Sequence, residues 1–428
     1  MLSRLLRLDT QLNNETLKHN FYANVMDGGL FAFALSIISV QTVLPVFVKS
    51  AGGSNVAVGL IPVVWMAGIN FPQIFIAGYV NRFAFKKPLM LKTGLVQRLP
   101  WFLLAVLTYF FIADAPPIIG LVIFFTVFAI AAVGGSITVP VWFDLIAKIT
   151  PVRVRGRLFA IRSMLGALLG IVGGWIVTIV LNNVAYPVNY SLLFFLAFII
   201  MMISFWFLTK LKEEDGNRAK KNLGFREYIM QLPRILKHQK NYRNFIIADA
   251  AFISSVAALA FYTVFALEKY SLGDQYAGKF TMVMMIAMIL GGMIFGYFGD
   301  KSGHKGNLVV GSLTVTAGCI VALVAPTVEI FILTFVLSAL TIAIMMISRL
   351  PFIAELCTEE DRPTYVALTN MITSPFFLTG IIAGRFADVY GYQYVFIGSG
   401  TIALLSAAWM YFIVTDPRKS LISELIKE

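Results

Sequence analysis

The stretch Gly296-Tyr-Phe-Gly-Asp300-Lys301-Ser-Gly303-His-Lys305-Gly306 is a short polar turn that separates two long apolar runs. A second stretch, Gly78-Tyr-Val-Asn81-Arg82-Phe-Ala-Phe-Lys86-Lys87, opens with the same Gly-Tyr pair, ends on the same basic residues and also lies between apolar runs. A helix needs about 20 mostly apolar residues to cross the hydrocarbon core of a bilayer. Each turn is therefore predicted to join two membrane-spanning helices.

The composition extends this prediction to the whole chain of 428 residues. Hydrophobic residues make up 59% and charged residues 13%, whereas soluble domains have roughly 45–50% and 25%. Backbone polar groups must be satisfied internally in lipid, and the apolar runs do not alternate as barrel strands do. We therefore predict an all-α polytopic membrane protein with twelve transmembrane helices, near residues 22–48, 55–79, 89–111, 118–143, 158–181, 190–209, 245–268, 277–299, 307–325, 329–353, 365–386 and 393–414.

The placement of basic residues explains the net charge of +12. Cytoplasmic loops attract Lys and Arg. If the N-terminus is inside, most of the 34 Lys and Arg fall on inner segments, including Lys148 to Arg162 and the stretch 210–243. The sequence thus predicts a multi-pass protein of the plasma (inner) membrane with both termini in the cytoplasm. The positive charge then needs no nucleic-acid partner.

The predicted spans form two pseudo-symmetric sets of six. Residues 1–209 are predicted as an N-terminal six-helix bundle, 210–243 as a basic cytoplasmic linker with an interfacial helix, and 244–428 as a C-terminal six-helix bundle. Short matches recur in the same order about half a chain length apart, as a duplication would require. They pair Asn20-Phe21 with Asn244-Phe245, Gly78-Tyr79 with Gly296-Tyr297, and Pro140-x-x-x-Asp144 with Pro351-x-x-x-Glu355.

The turns resemble those of the major facilitator superfamily. Its members carry a G-x-x-x-D-[RK]-x-G-x-[RK] turn between the second and third helix of each half, which the second copy fits with Gly296, Asp300, Lys301, Gly303 and Lys305. The first copy departs from the pattern, since Asn81 takes the acidic place and Ala84 the second glycine; it keeps Gly78, Arg82 and Lys86. Asp144 with Arg155-Gly156-Arg157, echoed by Glu355 and Arg362, matches a further family feature.

The resemblance implies that these turns act as latches that hold one gate closed while the halves rock around a central site. The alternative is that their cations only keep tight loops on the inner side. It also implies transport of a small solute driven by an ion gradient, with protons as the expected ion. Membrane lipids are the expected surroundings and the monomer the expected unit.

Two other functions stay open at this point. The weakened first turn is compatible with a non-transporting sensor or assembly factor of the same fold. The aromatic content of 14% is compatible with a lipid or amphiphile translocase. The chain has no phosphate-binding G-x-x-x-x-G-K-[ST] motif, three histidines and two cysteines. We therefore expect no enzyme activity, cofactor or metal.

Ionisable residues inside the predicted spans are the candidates for the transport site, because burying them in a membrane is costly. Asp27, with Asn24 one turn earlier, is the first candidate for proton or substrate binding. The alternative is a carboxylate near the interface that is paired with Arg98 or capped by water. Asp249 is expected near the membrane interface. Arg98 and Arg349 are expected to reach the interface or form structural ion pairs, and facing the cavity is their alternative. Polar candidates that either line the cavity or bond a neighbouring helix are Gln41, Asn70, Gln73 and Tyr262.

Overall fold

The computed structural model describes residues 15–70, 72, 85–213, 235–358 and 361–418, and the regular structure in these ranges is helical. The α-helices are α1 (Glu15–Ile37), α2 (Val43–Ser50), α3 (Asn55–Asn70), α4 (Lys87–Leu107), α5 (Pro117–Ile149), α6 (Val152–Asn183), α7 (Val188–Lys210), α8 (Lys240–Ser255), α9 (Tyr262–Lys269), α10 (Tyr276–Ser302), α11 (His304–Val324), α12 (Val328–Glu355), α13 (Arg362–Thr373), α14 (Thr379–Tyr390) and α15 (Tyr392–Phe412). A π-helical turn, Thr108–Ile112, extends α4.

Ten helical segments of the described residues are long and apolar enough to cross a membrane. They match the last ten predicted spans. The first predicted span is split into α1 and α2, and α3 is the described part of the second. Gln73, Gly78, Asn81 and Arg82 lie outside the described residues, as does most of the predicted linker helix, at 214–234.

The sequence predicted unbroken helices in three places where the structure has interruptions. Residues 38–42 separate α1 from α2, a 3-10 segment (Val256–Ala260) precedes α9, and another (Ser374–Leu378) separates α13 from α14. Hydropathy does not detect these breaks because the interrupted segments remain largely apolar. The break before α2 leaves the Gln41 carbonyl free to accept a hydrogen bond from Thr263 Oγ1 of α9, at 2.9 Å.

In each half, one asparagine near the start of the first helix bonds the backbone just beyond the end of the last helix. The Asn20 amide binds the backbone C=O and N–H of Lys212, at 2.9 and 2.8 Å. The Asn241 amide binds the backbone C=O and N–H of Thr415, at 2.9 and 2.8 Å. Asn241 therefore makes in the C-terminal half the hydrogen bonds that Asn20 makes in the N-terminal half, although the sequence match pairs Asn20 with Asn244. The sequence match followed the Asn-Phe pair and not the hydrogen-bonding role.

These two asparagines lie at what we call the terminal face, where α1 and α8 begin. At the opposite end, the distal face, the N-terminal half (15–213) is bonded to the C-terminal half (235–418). The Asp388 carboxylate accepts hydrogen bonds from the backbone N–H groups of Asn55 and Val56, at 2.9 and 3.2 Å. A carboxylate is favoured there because the first N–H groups of α3 have no partner within the helix.

Further contacts tie the halves together at and near the distal face. Asp274 accepts hydrogen bonds from Ser50 Oγ, at 3.3 Å, and from the Tyr190 hydroxyl, at 3.0 Å. Deeper in the membrane, Thr42 Oγ1 and Thr281 Oγ1 lie 2.6 Å apart. The structure thus has its distal face closed.

Glycine allows two of the helices to meet across this interface. A Cβ atom on Gly384 of α14 would come within 2.6 Å of the Cα of Val56 in α3 and would also overlap the Asn55 carbonyl. Small residues let membrane helices approach closely in this way. Gly398 of α15 offers a contrast, because a Cβ atom there would meet nothing within 4 Å.

We expect Gly384→Ala to destabilise the closed distal face, because the added methyl group forces α14 away from α3, at a cost of about 1–3 kcal/mol. Thermal unfolding of the purified protein in detergent measures this as a lower melting temperature. Gly398→Ala, the matched control, should not lower it. Equal melting temperatures for Gly384→Ala and the unsubstituted protein would contradict the packing described.

Candidate substrate and gating site

Asp27 of α1 lies at the centre of a buried polar cluster in the N-terminal half. Its Oδ2 is 3.0 Å from Arg162 Nη1, and its Oδ1 accepts a 2.7 Å hydrogen bond from Ser204 Oγ. Arg98 Nη2 lies 3.8 Å from the same Oδ1. The Asp27 side chain is only 3% exposed. Two guanidinium groups from different helices therefore compensate one carboxylate.

The Arg98 side chain is enclosed by the protein. Its Nε donates to the Met201 carbonyl and its Nη1 to the Gly94 carbonyl, both at 3.1 Å, and its side chain is 2% exposed. The guanidinium also lies over the rings of Phe31 and Phe205. Of the predicted alternatives for Arg98, the structure shows the ion pair.

Arg162 is the charged member of the cluster that the sequence analysis missed. It was assigned to an inner basic segment, whereas it lies ten residues inside α6. Its Nη1 also donates to the Asn24 side-chain oxygen, at 2.6 Å. Its side chain lies across Gly28, where a Cβ atom would overlap it. The Gly28-Gly29 pair beside Asp27 was the available signal, since a glycine often marks a close approach.

A second cluster surrounds Asp249 of α8. Arg349 Nε lies 3.0 Å from both Asp249 oxygens, and Arg349 Nη2 lies 2.7 Å from Oδ2. Arg349 also donates to Asn370 and Thr373 of α13, at 3.0 and 3.1 Å. The Asp249 side chain is 1% exposed, so this carboxylate is enclosed by the protein. Arg349 forms an ion pair, as one of its predicted alternatives stated.

The two clusters occupy equivalent places in the two halves. Asp27 comes seven residues after Asn20, and Asp249 eight residues after Asn241. At 1.5 Å per residue, the carboxylates lie about 10 and 12 Å from these asparagines. The cations differ, because they come from α4 and α6 in one half and from α12 in the other. The acids therefore follow the internal symmetry and the arginines do not.

The other polar candidates occupy different places. Tyr262 is buried in the C-terminal half, where its hydroxyl lies 3.3 Å from Cys319 Sγ, so it bonds a neighbouring helix and does not line a cavity. Gln41 contributes its backbone carbonyl, as described above. Asn70 Nδ2 donates to the Met66 carbonyl, at 2.8 Å, within α3. Within the residues that the structure describes, no group of three His, Cys, Asp or Glu could hold a metal ion.

At the terminal face, Glu213 holds the start of α4 and the end of α5 together. Its carboxylate accepts hydrogen bonds from the backbone N–H groups of Lys86 and Lys87 and from Lys148 Nζ, at 2.8–3.0 Å. Burial raises the pKa of Glu213, but the two backbone hydrogen bonds and the Lys148 ammonium outweigh it, so the pKa lies below its ordinary value. The sequence analysis missed this role because the partners lie far away in the chain.

The corresponding turn of the C-terminal half is held by Arg418. This side chain lies 2.6 Å from Glu355 and donates to the Asp300 backbone carbonyl, at 3.1 Å. The described ion pair of Glu355 is thus with Arg418 and not with its sequence echo Arg362. Gly303 has φ +89°, a conformation that favours glycine.

One glycine and two lysines of this turn have well-defined surroundings. A Cβ atom on Gly296 would meet nothing within 4 Å, so no neighbouring helix among the described residues requires a glycine there. Lys301 Nζ lies over the Tyr297 ring, and Lys305 Nζ donates to the Tyr411 carbonyl, at 2.9 Å.

The remaining gating candidates surround the end of α5. Asp144 is 4.0 Å from Lys86 Nζ. Arg155 Nη2 donates to the backbone carbonyls of Ala147 and Thr150, at 2.8 and 3.1 Å. A cation is favoured there because the last carbonyls of a helix carry partial negative charge. Arg157 lies five residues before Arg162 on α6, and it is half-buried.

We expect Asp249→Asn to lower the free energy of unfolding by about 3–5 kcal/mol, because it leaves Arg349 buried without its counter-charge. Chemical unfolding in detergent measures the loss. The double variant Asp249→Leu with Arg349→Met, which removes both charges, should recover most of it. A single variant as stable as the unsubstituted protein would contradict the buried ion pair.

Comparisons with known proteins agree with this architecture. A nucleoside transporter, NupG, superposes with a TM-score of 0.73 at 13% identity, covering 93% of this chain and 100% of that one. A D-xylose-proton symporter gives 0.68 at 13% identity, covering 94% and 99%. A POT family transporter in complex with 5-aminolevulinic acid gives 0.69 at 12% identity, covering 94% and 96%. At such identities the likeness shows the fold alone.

A search of curated protein sequences finds no significant match. The sequence model of the Major Facilitator Superfamily matches residues 26–292 and again 245–427. These two matches together span nearly all the described helices. The chain therefore belongs to the Major Facilitator Superfamily.

Proposed function

We propose that this protein is a secondary active transporter that moves a small solute across the membrane by alternating access and is coupled to protons. The observation that carries the proposal is Asp27, a carboxylate buried between Arg98 and Arg162 inside a membrane-spanning helix. Such a costly group is typical of a transport pathway. Membership of a superfamily whose fold is shared by named transporters supports the same class.

Alternating access requires contacts between the halves that can break on one face and form on the other. The described distal contacts, made by Asp388, Asp274 and Thr42, are of this kind because each joins one half to the other. The Glu213 and Arg418 contacts at the terminal face each stay within one half. We propose that they keep each half rigid as it rocks, together with the predicted gating residues around both turns.

Asp27 is the proposed coupling residue. The groups that face it are Asn24 on its own helix, Arg98 from α4, Arg162 from α6 and Ser204 from α7. A proton that binds this carboxylate must compete with both guanidinium groups. We propose that proton binding is thereby linked to rearrangement of the arginines. One structural neighbour is itself named as a proton symporter.

The proposed orientation of the protein in the membrane follows from the distribution of its charged residues. The terminal face carries Glu213 with Lys86, Lys87 and Lys148, and the basic turn at Lys301 and Lys305. We place this face in the cytoplasm, with the monomer as the transporting unit in a plasma membrane. The distal face is then the outer gate.

We expect solute addition to proteoliposomes to produce a proton flux with the unsubstituted protein and none with Asp27→Asn, because the amide cannot carry the proton. A pH-sensitive dye inside the vesicles measures it while a solute library is screened. The matched control is Asp114→Asn, on an exposed loop at the distal face, which should keep the flux.

The two alternative functions, a non-transporting sensor or assembly factor and a lipid translocase, predict different results in this assay. A sensor or assembly factor gives no flux of any solute in folded protein, and a lipid translocase moves labelled lipid between leaflets without a solute. A solute-dependent proton flux that survives in Asp27→Asn would move the coupling site elsewhere.

We expect a cross-link between Ser50→Cys and Asp274→Cys to stop transport, because it fixes the distal face in its closed state. The background replaces the two natural cysteines, Cys319 and Cys357, by serine. Oxidation should abolish solute flux, and reduction should restore it. The control pair, Asn241→Cys with Thr415→Cys, lies within one half and should leave flux intact when oxidised. Full transport with the distal cross-link in place would contradict alternating access.

A further inference from the structure

The cluster around Arg162 contains hydrogen-bond donors that have no acceptor. Asn24 Nδ2 and Trp142 Nε1 are buried and have no hydrogen-bond partner among the described residues. Arg162 uses Nη1 for Asn24 and Asp27, while its Nε and Nη2 have no hydrogen bond in the described part of the chain. A buried donor without a partner costs about 1–3 kcal/mol. Both buried donors belong to side chains that touch Arg162 directly.

These donors belong to one small site. The Arg162 guanidinium lies 4.4 Å from the centre of the Trp142 ring, and its Nη1 is 2.6 Å from the Asn24 side-chain oxygen. Gly28 provides the space in which the arginine lies. The Arg162 side chain remains 19% exposed, in contrast to Arg98 and Asp27. Part of the Arg162 side chain is therefore accessible from outside the cluster.

The charge of the site is unbalanced. Asp27 offers one negative charge to Arg98 and Arg162, so this cluster carries a net positive charge of one, whereas Asp249 and Arg349 balance each other. The α6 helix adds Arg153, Arg155 and Arg157 nearer the terminal face. A positive site with a basic entrance attracts anions.

Arg162 lies where the two halves separate. It begins a ridge of residues at four-residue spacing on α6 that continues through Gly166, Gly170 and Gly174. Cβ atoms on Gly174 and Gly170 would meet Met282 and Met285 of α10 in the other half. A Cβ atom on Gly166 would meet Ala32 of α1 in its own half. Towards the terminal face the ridge thus leaves the C-terminal half, and Arg162 lies one turn beyond that point.

We propose that Arg162, Asn24 and Trp142 bind an oxyanion of the transported solute, a carboxylate or a phosphate. The inference rests on the proposed transport function and narrows its substrate to an anion. The free Nε and Nη2 edge of Arg162 presents two parallel N–H groups, which matches the geometry of either oxyanion. The bound oxyanion also supplies an acceptor for Asn24 Nδ2 and Trp142 Nε1.

This site is directly connected to the proposed coupling residue. The Asp27 carboxylate and the solute anion bind the same guanidinium, so each competes with the other for its charge. An anion that draws Arg162 away leaves Asp27 with Ser204 and the more distant Arg98. Solute binding and the state of Asp27 are thereby linked.

The test measures binding to the full chain in lipid nanodiscs, without any gradient. The probes are acetate, benzoate, succinate and inorganic phosphate, with acetamide, benzamide and succinamide as neutral isosteres. Each is titrated to about 10 mM, which detects millimolar dissociation constants. Tryptophan fluorescence reports on Trp142 when the Trp142→Phe variant is compared, since five further tryptophans contribute to the signal. The melting temperature reports binding independently, because a ligand of the folded state stabilises it.

We expect saturable binding of at least one anion and of no neutral isostere. The response to carboxylates or to phosphate identifies the kind of oxyanion. Arg162→Gln should weaken binding at least tenfold, and Arg162→Lys should weaken it less. Arg243→Gln, which removes an exposed arginine from α8, is the matched control and should leave binding unchanged. Gly28→Ala should weaken binding while keeping every charge, because it displaces Arg162.

Two results would overturn the inference: no saturable response to any of the anions, or a response that Arg162→Gln leaves intact. Failure of the transport proposal looks different. Anion binding that depends on Arg162, in a protein that moves no solute, would support the anion site and contradict the proposed transport function. Transport of a neutral solute without anion binding would support the transport function and contradict the anion site.

Discussion

The placement of Asp27 inside the bundle, with two guanidinium groups around it, is the constraint on which the rest of the structure depends. A lone carboxylate at this depth would cost several kcal/mol, so helices α4, α6 and α7 must all present their polar groups to the same point. Gly28 then has to lack a side chain, and Arg98 has to be enclosed by backbone carbonyls. The packing of the N-terminal half therefore follows from one charged residue.

The C-terminal half compensates its buried carboxylate with fewer charges. Asp249 has a single arginine, and this arginine uses all of its nitrogen atoms for Asp249, Asn370 and Thr373. Two nitrogen atoms of Arg162 have no acceptor among the described residues, whereas every nitrogen of Arg349 has one. Because of this difference between the two halves, we assign Asp249 and Arg349 as a structural ion pair and the cluster around Arg162 as a proposed binding site.

Much of the fold could be predicted from the sequence because its causes are local. The length of each apolar run, the polar turn at Gly303 and the repeated order of short matches follow from hydropathy and from neighbouring residues. Asp27, Arg98 and Arg349 could be named because a charge within an apolar run is visible by itself. The break at 38–42 could not, because the Gln41 carbonyl that it frees is satisfied by Thr263 of another helix. Arg162, Glu213 and Arg418 were missed for the same reason, since their partners are more than 60 residues away.

Alternating access requires that the two halves separate at one face while they approach each other at the opposite face. Its most direct test is a pair of distances, measured by electron spin resonance between nitroxide labels. One pair, at Val152 and Thr358, spans the halves at the terminal face, and the other, at Asp114 and Thr327, spans them at the distal face. If the halves rock in this way, a transported solute or a change of pH lengthens the distance between the labels at one face and shortens it at the other. Distances that stay fixed at both faces, in protein that transports, would contradict it.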